Sequence, residues 1–547
     1  MTPGKKRFSA IHAVLLLSFG LSVVGIWWGL PSYRGWAPDE ILPSRVLEGM
    51  GQYFSNNWVD KYPPLHYYWL SLLYLPLVIL QKIKFVDVSH LSTYTVLFYL
   101  GRLLSLAMAA GAVYLVYRCG LEIYDKRSSL FAALITALIV PFVYHAKLAN
   151  LEVPYTLWFL WSVYFFIRIL KTHQTKYYLF FSLTAALSIC TKDQAYGLYI
   201  LPPFLIVASH WLEKRRAGEP RALVRSLFNL KNLFALGAAV GVFFIAHNIF
   251  FNAEGLLNHV RLIGGRMSSD YRLFENTPAG HLQLLWETLR QVRFSLGWPV
   301  FVVCGLGLIF SIVPKKKNFL LLSLTAFAIS YYIFYINIIL YNYDRFNIPI
   351  CIVLAFFGGK AVSDGLGTWT ISRRKPLRLS PGQATEPISR SSKFYKAKRA
   401  CLVILFGYTF LYAASVDILM VEDSRYHVEK WMKANIPKEA VIGVAGLIEY
   451  VPRMEAFTWT ALKPSLPVFE KNKKPDYVLF SVDYSRSFAE NTAGHLFFAQ
   501  FYRDSENYKL VFRYKTPLGW LPLRSRDIMT NINTINPEIR IFRKVGR

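Results

Sequence analysis

The sequence predicts a helical polytopic membrane protein with about eleven spans, ending in a small α/β domain. Three observations predict it. Apolar runs recur through the first 420 residues, cations cluster between those runs, and the composition changes near residue 421. Of 547 residues, 54% are hydrophobic and 16% aromatic, more than in ordinary soluble domains.

The net charge of +29 raises a nucleic-acid partner, but its distribution argues against one. Cations gather at 118–127, 168–176, 214–231, 315–317 and 373–399, each between apolar runs, and Lys5, Lys6 and Arg7 precede the first run. Clusters so spaced read as cytoplasmic loops held at an anionic leaflet. The first run, residues 8–30, is uncharged and long enough to cross a bilayer. No small-residue cleavage signal follows it, so it reads as a retained anchor with a cytoplasmic N-terminus. Five cysteines (119, 190, 304, 351, 401) lie in or beside apolar runs, and none falls in the C-terminal domain, so no disulfide framework is implied there. The absence of any Asn-x-Ser/Thr acceptor leans towards a bacterial inner (plasma) membrane.

Further spans are expected near 93–117, 129–145, 153–167, 177–190, 194–211, 232–251, 294–314, 318–341, 346–362 and 400–418. Leu65–Leu80 is read as a helix lying in the interface, because counting it as a span would turn most basic clusters outward. The first outer loop is then 31–92, and 371–399 reads as a basic cytoplasmic linker. Residues 1–420 form the membrane domain. An odd number of spans places 421–547 outside as an α/β domain. Its predicted helices are 426–434 and 489–502, and its predicted strands 440–445, 476–482, 509–514 and 539–542.

Chemistry concentrates at the outer helix ends. Asp39 and Glu40 lie in Trp36-Ala37-Pro38-Asp39-Glu40, just past the first run, where an acid can take a proton from a hydroxyl beside a lipid-borne donor. The bland reading of such acids is a solvated loop that caps the next helix. Asp60-Lys61-Tyr62-Pro63-Pro64-Leu65-His66 enters the interfacial helix through a double proline, which holds Lys61 and His66 near headgroup level. Anchoring of the helix with a snorkelling lysine explains the same residues. Arg102, Lys147, Lys192 and Arg345 lie at outer helix ends, against the positive-inside bias, and each calls for an anionic partner. That partner is a substrate phosphate or a neighbouring acid such as Glu152, Asp193 or Asp344. The outer segment 252–297, with His259 and Arg266, is long for a connection and reads as a mobile, substrate-covering loop. No Cys/His cluster has zinc spacing, and no glycine-rich phosphate loop follows a strand.

These residues together resemble the GT-C superfamily of polytopic glycosyltransferases, in its protein O-mannosyltransferase and lipid A aminoarabinose transferase branch. The shared pattern is Asp39-Glu40 after the first helix, Pro63-Pro64-Leu65 opening a surface helix, and Arg102 at the start of the next span. Thr191-Lys192 and Arg345-Phe346…Pro349 complete it. Two positions depart from that pattern: Tyr62 stands directly before the prolines where His or Lys is more usual, and Glu152 stands where an Asp is more usual.

The resemblance implies transfer of a sugar from a polyprenyl phosphate to an acceptor hydroxyl, on lipid, glycan or protein, at the outer face. Inversion needs a base on the nucleophile side, and the leaving phosphate needs charge compensation instead of an acid. Asp39, assisted by Glu40, is the expected base. Lys61, Arg102, Lys192 and Arg345 are the expected phosphate ligands, with His66, Tyr62, Lys147, Glu152 and Arg266 as further substrate contacts. No cofactor is required, although Asp39, Glu40 and His66 could hold a divalent cation. A lipid-linked sugar flippase, a membrane scaffold, and a glycan polymerase or ligase remain alternatives; a transporter would more typically show repeated halves and broken helices at midplane.

Overall fold

The computed structural model describes residues 9–265, 271–313, 317–367, 391–464, 475–502 and 507–545. Among them, seven helical stretches are long and apolar enough to cross a membrane: Leu91–Ile123, Glu152–Thr172, Asp193–Arg216, Ala222–Ala246, Phe319–Ile339, Asp344–Gly365 and Lys396–Asn435. Pro278–Leu296 and Trp298–Ile312, bent by 116°, make an eighth if taken as one span. The chain is a multi-pass membrane protein.

The count falls below the eleven expected because several apolar runs fold as short helices. Ala10–Val23 has 14 residues, Lys126–Ala137 has 12 and Thr175–Thr191 has 17. At ~1.5 Å per residue each falls short of a hydrocarbon core of about 30 Å. The first helix ends at Val23 and not near residue 30, because Gly25 and Gly29 take left-handed conformations at φ 82° and 74°. A Cβ at Gly29 would lie 2.8 Å from the Trp36 backbone nitrogen, so that position also needs glycine for space. Leu65–Lys82 forms the expected surface helix and is not among the candidate spans.

The outer segment 252–297 is largely helical, in Ile249–Gly264 and Pro278–Leu296. Arg266 and most of the basic linker 371–399 lie outside the described residues.

The chain divides into two compact units. The first comprises residues 1–23, 46–73 and 103–414. Its apolar core joins Val113, Ala132, Phe159, Phe327 and Phe357, among others. Close approach is set by small residues. A Cβ on Gly359 would meet Ser128 O at 2.6 Å, and one on Gly307 would meet Phe357 O at 2.3 Å.

The second unit comprises residues 24–45, 74–102 and 415–547. It holds a mixed five-stranded sheet in the order β2-β1-β3-β5-β4. The strands are β1 (Val441–Ala445), β2 (Thr458–Leu462), β3 (Tyr477–Ser481), β4 (Tyr508–Tyr514) and β5 (Ile539–Lys544). β1 runs parallel to β2 and β3, and β5 runs antiparallel to β3 and β4. Alternation along the strands makes two cores. Ile442, Val444, Leu479 and Ile541 pack with Val428 and Met432 of the helix Ser424–Asn435. Val478, Phe480 and Phe542 pack with Phe497, Phe498 and Phe501 of Ala493–Tyr502.

Candidate active site

Within the first unit, two predicted cations meet one acid. Glu152 is the first residue of the helix Glu152–Thr172, and its backbone N–H donates to Asn150 Oδ1 at 3.1 Å. A carboxylate is favoured at that helix end. Its Oε1 receives the Lys192 ammonium in a short hydrogen bond and lies 3.3 Å from Arg345 Nε. Glu152 Oε2 is buried and has no hydrogen-bond partner. The Glu152 and Lys192 side chains are 4% and 9% exposed. Two cations thus meet one carboxylate in a nearly dry setting.

Aromatic rings complete that setting. Lys192 Nζ lies 5.7 Å from the Tyr155 and Phe346 ring centres, and the Arg345 guanidinium lies 4.8 Å from Tyr343. The turn that carries Arg345 is fixed by amides. Asn342 Nδ2 donates to Thr288 Oγ1 at 2.8 Å, Asn347 Nδ2 to Gln291 Oε1 at 3.0 Å, and Gln291 Nε2 to the Asn342 carbonyl at 3.2 Å. Those amides carry no sequence signal beyond their polarity in an apolar stretch.

The Asp60–His66 segment is held by the helix Ile249–Gly264 and the turn before it. Asn248 Nδ2 donates to Phe54 O at 2.9 Å and Asn252 Nδ2 to Trp58 O at 2.8 Å. His259 Nδ1 lies 3.0 Å from Asp60 O, and its Nε2 lies 3.1 Å from Asp193 Oδ2. Burial opposes the charged ring, but the Asp193 hydrogen bond and charge prevail and raise the His259 pKa above its ordinary value. Asp193 therefore serves His259, and Lys192 takes Glu152.

Lys61 is exposed, with Nζ 5.3 Å from the half-buried Tyr62 ring. His66 is a correction to the expectation of a cation at headgroup level. It is 1% exposed, burial pushes its pKa down to about 3, and neither ring nitrogen has a hydrogen-bond partner, so the ring is neutral. Lys147 is fully buried and donates to Leu21 O at 2.8 Å, near the end of the first helix.

Within the second unit, the acid pair divides. Glu40 accepts Arg102 Nε on Oε1 at 2.7 Å and Nη2 on Oε2 at 2.6 Å, with both side chains fully buried. Arg102 Nη1 donates to Ile26 O at 2.7 Å and Trp28 O at 2.9 Å. This fork ties the loop to the helix Leu91–Ile123. Arg102, expected on a phosphate, is held by protein groups here, and Glu40, expected to touch substrate, is enclosed.

Asp39 is half-buried, and its Oδ2 accepts Asn531 Nδ2 at 3.1 Å. The tryptophans of the same loop pack on a second buried pair. Arg425 donates to Asp423 through Nε at 2.9 Å and Nη2 at 2.6 Å, and its guanidinium lies 4.2 Å from the Trp36 ring centre and 5.2 Å from that of Trp28. Trp28 Nε1 also donates to Asp423, at 3.0 Å. Sequence reasoning missed Asn531, Asp423 and Arg425. Asp423-Ser424 ahead of a helical pattern is an N-cap signal that could have marked the acid.

Among the described residues, no group of three or more His, Cys, Asp or Glu side chains could hold a metal ion. The Asp39, Glu40 and His66 set does not fit a divalent cation, since Glu40 has both oxygens on Arg102.

Residues 97–228 match the model of the family described as dolichyl-phosphate-mannose-protein mannosyltransferase. The match covers 132 of the 547 residues. No curated protein matches the chain in sequence. Among solved structures, it is similar to the Archaeoglobus fulgidus oligosaccharyltransferase tethered with an acceptor peptide. Identity there is 14% over 98% of this chain and 88% of that one, with a TM-score of 0.50. It is also similar to ArnT from Cupriavidus metallidurans bound to undecaprenyl phosphate, at 14% identity over 97% of each chain and a TM-score of 0.46. The archaeal enzyme in complex with Zn and sulfate matches at 14% identity over 87% of this chain and 68% of that one, with a TM-score of 0.48.

Proposed function

We propose that the protein inverts a sugar as it moves it from a polyprenyl phosphate to an acceptor hydroxyl at the outer face of a bacterial inner membrane. The observation that carries this reading is the convergence of Lys192 and Arg345 on Glu152. Two cations so placed on one carboxylate suit an incoming phosphate. Glu152 holds both cations in place before the donor arrives, so little reorganisation is needed on binding. Lys61, exposed at the start of the interfacial helix, is a further phosphate contact.

Asp39 is the base in this reading. It takes the acceptor hydroxyl proton as the oxygen bonds to the anomeric carbon. The bond from that carbon to the phosphate oxygen breaks, and the electron pair leaves with the lipid phosphate. Asn531 orients the carboxylate, and Glu40 with Arg102 positions the loop. The outer placement rests on the basic clusters between the apolar runs.

The test is binding of undecaprenyl phosphate to the full chain in nanodiscs, compared with Lys192→Ala and Arg345→Ala. Weakened binding in both supports the reading. Unchanged binding in both makes the cluster a structural ion network and removes its main support.

A further inference from the structure

A groove of about 710 Å³ lies in the first unit, between the helices Trp298–Ile312, Ile348–Gly367 and Ser391–Val421. Its size falls in the range of pockets that hold small ligands, roughly 300–1,000 Å³. Leu306, Phe310, Leu402 and Leu405 line it, and its polar groups gather at the C-terminal end of Ile348–Gly367. There Lys360 Nζ donates to Asp364 Oδ1 at 2.5 Å, and Lys398 Nζ donates to Gly365 O at 2.6 Å. Two lysines and one aspartate are the charged side chains that line the groove.

The groove is separate from the Lys192–Glu152–Arg345 cluster. Arg345 precedes Ile348–Gly367, whereas Lys360 lies twelve residues into it, about 18 Å along the axis. Two walls belong to candidate membrane spans and the third to the bent pair, so in a bilayer the apolar part would face hydrocarbon and the lysines would reach the boundary opposite Arg345. Basic pockets between spans at that boundary suit anionic lipid headgroups.

We propose that this groove binds an anionic membrane phospholipid, with one acyl chain along Leu306, Phe310, Leu402 and Leu405 and the headgroup phosphate at Lys360 and Lys398. Charge complementarity selects this occupant over a neutral lipid, and the apolar walls select it over free phosphate. The site is independent of the sugar donor.

The test reconstitutes the full chain in nanodiscs of equal phosphatidylglycerol and phosphatidylcholine and measures retained lipid by native mass spectrometry. The wild type retains phosphatidylglycerol in preference by about fivefold or more. Lys360→Gln with Lys398→Gln loses the preference, and Leu306→Trp, which fills the groove and keeps both lysines, loses the retained lipid. Lys192→Ala leaves retention unchanged. Alkylation of Cys401, which lines the groove and is the exposed member of five free cysteines, slows when phosphatidylglycerol is present. Equal retention of the two lipids by the wild type overturns the proposal. So does a preference that survives in both the double glutamine variant and Leu306→Trp. Displacement of the lipid by millimolar inorganic phosphate alone would make this a phosphate site instead.

Discussion

Asn531 donates its side-chain amide to Asp39 Oδ2 at 3.1 Å across 492 residues of sequence. A residue near the end of the chain thus orients the acid with which the candidate chemistry begins. Asp39→Asn should lower turnover by about 10²–10⁴ with donor binding retained, as expected for a lost base. Asn531→Ala should lower turnover by roughly tenfold, in line with one hydrogen bond to a charged group. Steady-state transfer assays beside donor binding check both, and normal turnover by Asp39→Asn would remove the assignment.

Lys192→Ala and Arg345→Ala should each weaken polyprenyl-phosphate binding by about tenfold or more, the value of a charge-assisted contact. Glu152→Gln acts differently. It leaves two nearly buried cations without their shared carboxylate, so the folded state should lose about 3–5 kcal/mol. A lowered thermal midpoint in detergent, measured without donor, reports that loss.

Breaking the Asp423–Arg425 pair should disturb the acid loop without touching it. Arg425→Ala removes the guanidinium beneath Trp28 and Trp36 and strands a buried aspartate. Tryptophan fluorescence should shift to the red and turnover should fall, while polyprenyl-phosphate affinity holds. Unchanged fluorescence would show that the two rings are held by other contacts.

The His259–Asp193 contact gives a pH dependence with a definite sign. The folded pKa is raised above 6.5, so this stabilisation is complete below about pH 6.5 and is lost as pH rises through the folded value. The thermal midpoint of the wild type should therefore fall between pH 6 and 8 by more than that of His259→Gln. Parallel profiles would show that the pair carries no stability.

Orientation can be read with single cysteines. One placed in 373–399 and one in 430–464 should label from opposite sides with an impermeant thiol reagent. Labelling of both from outside would refute the outward placement of Asp39.

The sheet was legible where its strands are short, continuous apolar runs. Val441–Ala445 and Tyr477–Ser481 are buried on both faces and read as strands within a residue of their ends. Thr458–Leu462 was not legible, because it is an exposed edge with no alternation to detect. Span lengths misled for a related reason: hydropathy registers apolar residues, whereas the left-handed glycines at 25 and 29 end the first helix inside its apolar run. At the candidate site, charged residues at helix ends were visible as violations of the positive-inside bias. Their pairing was not, since Glu152 meets Lys192 across 40 residues and Glu40 meets Arg102 across 62.

The anchoring of residue 39 by residue 531 also sets an order in time. A ribosome releases the membrane helices first and the strands last, and sequence-distant contacts close late. Asp423 and Arg425 emerge before the strands, and Asn531 is the last of the three partners of the acid loop to be made. The membrane helices are therefore made before the contact that holds the Asp39 carboxylate can form.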